Sequence, residues 1–593
     1  MRAGVAFLMT ILPDSRPQPI SKGAAMSTSL DRRTALALLA SGLGVACAPS
    51  APEAQDGAAT AAPSSPGLFA HGVASGDPGP DSVVLWTRVT PADPQARVAV
   101  RWEVSASAEF AVIIAQGDAE ATPDTDHTVK VIADGLAPGA RYHYRFTADG
   151  QVSQAGRTMT LAVGRLERLG IALASCSNYA FGHFNAYRAI AEDAGVDVVL
   201  HTGDYIYEYG AGEWGDDVAT ALGRRHVPDH EIVTLADYRA RFAQYRSDPG
   251  AQAMHAAHPF VACWDDHEST NNPWMAGAQN HQPETEGDWA VRREAALQAY
   301  YEWMPVREPG PGRTRAQFWR TYAFGDLATL VTLETRHTGR TRQIAYGEWF
   351  EDITDQASRD TFMSEIIGDL ARTMLSPEME ADLSGALAAS KAAGQPWRVL
   401  GNASPIARML VPDVAALGID PSRNRNPDQF GKGPDLLWTG KWNLPFYTDT
   451  WDGYPAARER LYGLAQAQGV RDLLVLTGDS HSFWMNTLAD AAGLPMGLEL
   501  GTAGITSPGD FVESGWDQET ATRLDRLFEQ ELPEVVWTDN LHQGYVRVTL
   551  THNGARADFV AVDTVLVPEF RAFVLRSTGI ARQGETLVYS EPA

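Results

Sequence analysis

Two patterns of apolar and polar positions divide the chain. Between Leu68 and about Thr160, short runs rich in aromatic and β-branched residues occupy positions 83–87, 98–104 and 142–146. Asp77-Pro78-Gly79-Pro80 and Ala137-Pro138-Gly139 punctuate them. Such runs between Pro/Gly turns predict strands, and their density predicts a small β-sandwich over residues 68–162.

From about Leu169 the runs become mostly apolar, of the buried type, and each ends in metal-capable residues. Residues 171–174 lead to Ser175-Cys176-Ser177-Asn178, and 196–200 lead to His201-Thr202-Gly203-Asp204. Residues 259–262 lead through Cys263 to Trp264-Asp265-Asp266-His267-Glu268. Residues 397–400 lead to Gly401-Asn402, and 473–476 lead to Thr477-Gly478-Asp479-Ser480-His481. Amphipathic stretches at 184–194 and 235–245 predict intervening helices. Runs apolar throughout are strands buried on both faces, and ligands gather at the carboxyl ends of such strands. The expectation is a mixed-sheet α/β sandwich over 163–570 with helices on its outer faces, preceded by a separate all-β domain. Near the C-terminus, residues 545–551 and 557–562 flank Asn553-Gly554, which predicts a hairpin with a tight turn. Residues 571–593 follow as a C-terminal segment.

The N-terminus reads differently. Arg32-Arg33 precedes an apolar run, 35–46, too short and too rich in Ala and Gly to span a bilayer. Paired arginines there resemble a twin-arginine export signal over residues 1–47, with Met26 as an alternative start. The expected location is the periplasm or the outside of the cell, and the expected partner is the twin-arginine machinery. Two processing readings fit. Ala46-Cys47-Ala48 suits ordinary cleavage, while Gly44-Val45-Ala46-Cys47 is an imperfect lipobox that would make Cys47 a lipid anchor. Residues 48–67, rich in Ala, Pro and Ser, read as a tether.

Composition narrows the function. The 593 residues carry 48 Lys and Arg against 74 Asp and Glu, a net charge of −26. So acidic a surface repels polyanions, and no nucleic-acid platform is expected. Three cysteines, Cys47, Cys176 and Cys263, exclude a disulfide framework. Any one Gly-Asp pair or lone His has a bland reading as a turn or a core residue. Five strand ends offering O, N and S donors in order do not, because desolvated carboxylates converge only around cations.

The order Cys176, Gly203-Asp204-x-x-Tyr207, Asp266-His267-Glu268 and Gly478-Asp479-x-His481 is similar to the metallophosphatase pattern. That pattern runs Asp-x-His, Gly-Asp-x-x-Asp, Gly-Asn-His-Glu, Gly-His-x-His. Cys, Tyr, Asp and Asp at the departing positions resemble the alkaline phosphatase D family of phosphodiesterases and phosphomonoesterases. His71-Gly72-Val73-Ala74-Ser75-Gly76-Asp77-Pro78, Asn271-Asn272, Trp451-Asp452-Gly453-Tyr454-Pro455 and Ile505-Thr506-Ser507-Pro508 extend the likeness over nearly the whole mature chain. Glu334 departs from the family's Asp before Thr335-Arg336. The resemblance implies a four-layer αββα metallophosphatase domain after a fibronectin-III-like sandwich. It also implies a metal-activated water acting on small phosphate esters or diesters. Thiolate and phenolate donors favour Fe³⁺, which places Cys176, Asp204, Tyr207 and His481 at an iron site. Asp204 would bridge to an oxygen-rich site completed by Asp266 and Asp479, where the family implies Ca²⁺, in all two Ca²⁺. Asp266 and His267 are then the catalytic pair, His267 serving the leaving alkoxide. Asn271, Asn272, Asn402 and Arg336 are further candidates. Ser480, between two ligands, should point elsewhere by the alternation of a strand. A non-catalytic binding protein and an iron redox protein are the competing classes. Chelator-sensitive release of phosphate from an aryl ester separates them from a hydrolase.

Overall fold

A computed structural model describes residues 67–419 and 435–592. The export signal, the tether and Cys47 lie outside the described residues. Among those described, no helix is long and apolar enough to cross a membrane.

The expected αββα sandwich is present. A ten-stranded sheet contains the parallel strands Arg168–Ala174, Val198–His201 and Phe260–Ala262. A seven-stranded sheet contains Ala328–Thr332, Trp397–Asn402, Leu473–Thr477 and Pro495–Gly501, also parallel. Side-chain alternation explains why these runs are apolar throughout. Ile171, Leu173, Val198 and Leu200 face Val399, Leu474 and Leu476 of the other sheet. Their neighbours Ala172, Ala174 and Val199 face the helices Asn185–Glu192 and Leu235–Arg246. Leu400, Leu473 and Val475 likewise face Pro377–Ala392 and Pro455–Ala467. Helix Leu235–Arg246 starts at a capping box, the Thr234 side chain accepting from the Asp237 amide and Asp237 reciprocating.

The N-terminal sandwich is also present, around Val83, Leu85, Val100, Tyr144 and Phe146. It is not separate. Five of its strands form their own sheet, but Val73–Gly76, Val83–Arg88 and Thr128–Ala133 extend the ten-stranded sheet. The junction is a parallel pairing of Gly76 with Phe260. A Cβ on Gly76 would lie 2.4 Å from the Pro305 carbonyl oxygen and 2.6 Å from that of Phe260, so only glycine lets the two strands approach.

The C-terminal hairpin pairs Gln543–Thr551 with Ala555–Val562. Its loop departs from expectation: Leu550 pairs with Ala555, and neither Asn553 nor Gly554 has a positive φ. The turn is closed instead by the Thr551 amide and hydroxyl, both donating to the Gly554 carbonyl. Ala572–Gln583 and Thr586–Ser590 then add two edge strands to the ten-stranded sheet.

Candidate metal centre

The carboxyl ends of strands from both sheets open into one cleft of about 840 Å³. Asp204, Asp266, His267, Asn271, Asn272, Asp479 and His481 line it. Two glycines let the strand-end loops close up. A Cβ on Gly203 would lie 2.3 Å from the Asp265 amide nitrogen, and one on Gly478 would lie 2.2 Å from Ser175 Oγ. The following residues then take an unusual backbone. Cys176, Asp204, Asp479 and His481 have φ of 59°, 57°, 67° and 53°. Each left-handed non-glycine residue costs about 1–3 kcal/mol, and such strain collects at functional sites.

Four donors meet at one point. Cys176 Sγ lies 3.5 Å from Asp204 Oδ2, and the Tyr207 hydroxyl donates to the same oxygen at 3.1 Å. The Tyr207 oxygen is 3.4 Å from His481 Nε2 and 2.9 Å from Ser507 Oγ. Next to this cluster, Asp204, Asp266 and His267 offer ligand atoms within 4.8 Å of one another, as do Asp265, Asp266 and Asp479. Among the described residues, the buried guanidinium that faces these carboxylates is that of Arg336. Its guanidinium lies 2.6 Å from Asp265, 3.5 Å from Asp449, 3.6 Å from Asp479 and 3.9 Å from Asp266.

One guanidinium cannot balance these anions in a desolvated site. Burial, and then repulsion by Asp204, pushes the Cys176 thiol well up. Burial and the same carboxylate raise the Tyr207 phenol. Burial raises Asp204, with Asp266 and Asp265 adding to it against His267. Asp479 is raised by burial, then by Asp265 and Asp449. Asp266 Oδ1 and Asp265 Oδ2 are buried without a hydrogen-bond partner. Burial disfavours the charged forms of the thiol, the phenol, Asp204 and Asp479, while His267 and Arg336 outweigh burial at Asp266 and hold it low; a cation would favour the anionic form of every one of these donors. The residues present therefore fit metal binding, with thiol and phenol donors in one cluster beside an oxygen-rich one.

Not every candidate sits in the cleft. Asn402 is turned into the interior, where Nδ2 donates to the Ser404 carbonyl at 2.5 Å and Oδ1 accepts from Trp451 at 3.3 Å. Glu334 accepts from the amides of Arg336, His337 and Thr338 and holds that turn. Ser480 does line the cleft, but its hydroxyl is taken up by accepting from Trp484 Nε1 at 2.8 Å. Cys263 is a buried thiol in the core.

Three residues emerge only here. Glu208 Oε2 lies 2.6 Å from His267 Nδ1, while Oε1 accepts from the Asn271 amide at 2.7 Å and from Asn280 at 3.0 Å. Burial works to raise the Glu208 carboxyl, but His267 and these donors outweigh it and bring it to about 2. Burial likewise opposes the His267 cation, yet Asp266, Glu208 and Asp204 hold it well above the usual histidine range. Trp214 stacks on His481, with ring centroids 5.7 Å apart, and on His267 at 6.4 Å. Asp449 completes the ring of carboxylates around Arg336. Glu208 directly follows Tyr207, so an acidic residue next to the second motif was the available signal.

Known proteins share this arrangement of sequence and fold. The profile described as PhoD-like phosphatase matches residues 171–559, and that of the PhoD-like phosphatase N-terminal domain matches residues 54–162. Over 521 residues the chain is 34% identical to alkaline phosphatase D of Bacillus subtilis (strain 168), covering 84% of this chain and 78% of that protein. A solved structure described as that of PhoD superposes with a TM-score of 0.72 at 31% identity, covering 90% of this chain and 94% of the other. The chain belongs to the PhoD-like phosphatase family.

Proposed function

We propose that this chain is an exported, metal-dependent phosphoesterase acting on phosphomonoesters, phosphodiesters or both. The observation that carries the reading is that Asp204, Asp266, Asp479 and His481 line one cleft, with Cys176 and Tyr207 packed against Asp204 behind it. Cys176, Asp204, Tyr207 and His481 would hold Fe³⁺, and Asp204, Asp266 and Asp479 would hold Ca²⁺. Bound there, the ions supply Lewis acidity and a water activated near neutral pH. His267 carries a proton at Nε2 for the departing oxygen, its ring fixed by the Nδ1 contact with Glu208. Trp214 is stacked over both histidines at the wall of the cleft. Release of product from an aryl phosphomonoester and from a bis-aryl diester, with and without a chelator, tests the reading. Turnover that survives complete metal removal, or no turnover of either ester by the metal-loaded protein, refutes it.

Glu208→Gln keeps the shape but removes the anion that orients and charges His267. The expected result is a kcat lower by about 10–100-fold with KM little changed. Because the raised histidine pKa is partly lost, the alkaline limb of the kcat profile moves to lower pH. Steady-state kinetics across pH check this, and a wild-type kcat with an unmoved limb sinks the role given to Glu208.

Export rests on Arg32-Arg33 and the apolar run after it. Replacing the pair by Lys-Lys is expected to leave active protein in the cytoplasm, since the receptor reads the paired guanidinium groups. Fractionation showing normal export of that variant removes the twin-arginine reading. Labelling with a fatty acid distinguishes a lipidated Cys47 from simple cleavage.

A further inference from the structure

At one wall of the cleft a buried carboxylate has an oxygen to spare. Asp510 and Glu513 open and close the short helix Asp510–Glu513, which follows Ile505-Thr506-Ser507-Pro508. Ser507 reaches the metal cluster through its 2.9 Å contact with Tyr207, so one segment serves both places. Asp510, Glu513 and His481 line the cleft together, and each offers a ligand atom within 4.8 Å of the other two. Asp510 is 5% exposed, and its Oδ2 is buried without a hydrogen-bond partner. Burial pushes the Asp510 carboxyl well up; the Tyr447 hydroxyl, donating to it, opposes this, and the charges of Glu513 and Asp449 add to it. Both of those charges are negative. Arg342, which lines the cleft, is paired with Glu348, and Arg336 with Asp265.

A buried acceptor among negative charges calls for a cationic donor. A metal ion fits poorly. Both nitrogens of His481 are engaged, Nε2 at 3.4 Å from the Tyr207 oxygen and Nδ1 donating to the Pro508 carbonyl at 3.2 Å. The two carboxylates then remain, whereas Ca²⁺ takes about six to eight oxygens. An ammonium group needs only acceptors for its N–H bonds, and bonds of that kind to a carboxylate are among the strong ones. Trp214, stacked on His481 at the same wall, adds an aromatic surface suited to a cation.

We propose that Asp510 and Glu513 bind a primary ammonium group carried by the substrate, so that the cleft favours phosphate esters of amino alcohols. The preference in turnover rests on the phosphoesterase reading; the binding of the ammonium group does not. N–H donors are required, because Asp510 Oδ2 lacks a hydrogen bond, and a quaternary ammonium group supplies none.

Two measurements on the metal-loaded protein test this. The first compares para-nitrophenyl aminoethyl phosphate with para-nitrophenyl propyl phosphate, which have nearly the same shape and differ by one positive charge. The expected kcat/KM is about 10–100-fold higher for the aminoethyl ester. Asp510→Asn should bring that ratio close to one. Glu513→Gln, a milder change, should lower it part of the way, and it keeps the test open if the Asn variant does not fold. The second uses ethylammonium chloride as a probe, with tetramethylammonium chloride at equal ionic strength as control. A ligand bound only by the folded state stabilises it by mass action. The wild-type melting temperature is therefore expected to rise saturably with ethylammonium and not with tetramethylammonium, and Asp510→Asn should lose the difference. Equal kcat/KM for the two esters, or a ratio unchanged in both variants, overturns the ammonium site and leaves the phosphoesterase reading standing. The same melting response to both cations in wild type also overturns it. No turnover of either ester overturns the phosphoesterase reading, and the melting comparison then decides the ammonium site by itself.

Discussion

Asp266→Asn and Asp479→Asn each lower kcat/KM for an aryl phosphate by on the order of 10³-fold, about 4 kcal/mol of transition-state stabilisation. Metal-free Asp479→Asn nevertheless melts no lower than metal-free wild type. The two halves of this result come from the same charges. Asp265, Asp266, Asp449 and Asp479 surround the single guanidinium of Arg336. Asp265 holds that guanidinium at 2.6 Å, so Arg336 keeps a partner when another carboxylate is lost. Burial and the neighbouring carboxylates raise Asp479. A carboxyl raised in the folded state contributes stability at low pH that is lost as pH rises, and an asparagine never loses it. Without metal the fourth carboxylate opposes folding near neutral pH; with metal it is a ligand. Calorimetry of chelated proteins, beside kinetics with added Ca²⁺, separates the cases. Wild-type rates in either variant would falsify the second metal site. A metal-free Asp479→Asn that melts far below wild type would instead make Asp479 a structural partner of Arg336.

The parts legible in the sequence are those where burial leaves a local trace. Residues 198–200 are apolar without a break because Val198 and Leu200 face a second sheet while Val199 faces helices. That doubly buried pattern is visible in three residues. The ends of such strands revealed Cys176, Asp204, Asp266 and Asp479, because the chain there changes abruptly from apolar to metal-capable. What stayed hidden depends on residues remote in sequence. Asp449 is one acidic residue in a loop, and it gains meaning only from Arg336, 113 positions earlier. The sheet that runs through the N-terminal sandwich hangs on the one pairing of Gly76 with Phe260. Glycine at 76 reads equally well as a turn residue until the Pro305 carbonyl beside it is seen. Asn402 shows the opposite error. It ends a strand and is of the right type, but Trp451 and Ser404 claim both ends of its amide.

The purified, active protein is expected to be coloured, and Tyr207→Phe to lose one visible band together with iron affinity. The Tyr207 oxygen stands among Asp204 Oδ2, His481 Nε2 and Ser507 Oγ, with Cys176 Sγ reaching the same Asp204 oxygen. Burial pushes both the phenol and the thiol upward. Neither ionises there unless a strongly Lewis-acidic ion compensates, and Ca²⁺ prefers harder oxygen donors. Phenolate and thiolate on Fe³⁺ give charge-transfer absorption; Zn²⁺ and Ca²⁺, lacking a partly filled d shell, give none. Loss of an outer-shell partner lowers metal affinity by about 10–100-fold, and loss of a direct ligand should exceed that. Cys176→Ser should cost more iron than Tyr207→Phe, because a serine hydroxyl stays protonated where a thiolate would bind. Its φ of 59° is set by the backbone around it, so the substitution leaves the strand end in place. Metal analysis, an absorption spectrum and circular dichroism on the same samples read all three quantities. A colourless, fully active enzyme without iron refutes the assignment even if phosphate release is confirmed. Intact iron in Cys176→Ser removes the thiolate from the ligand set.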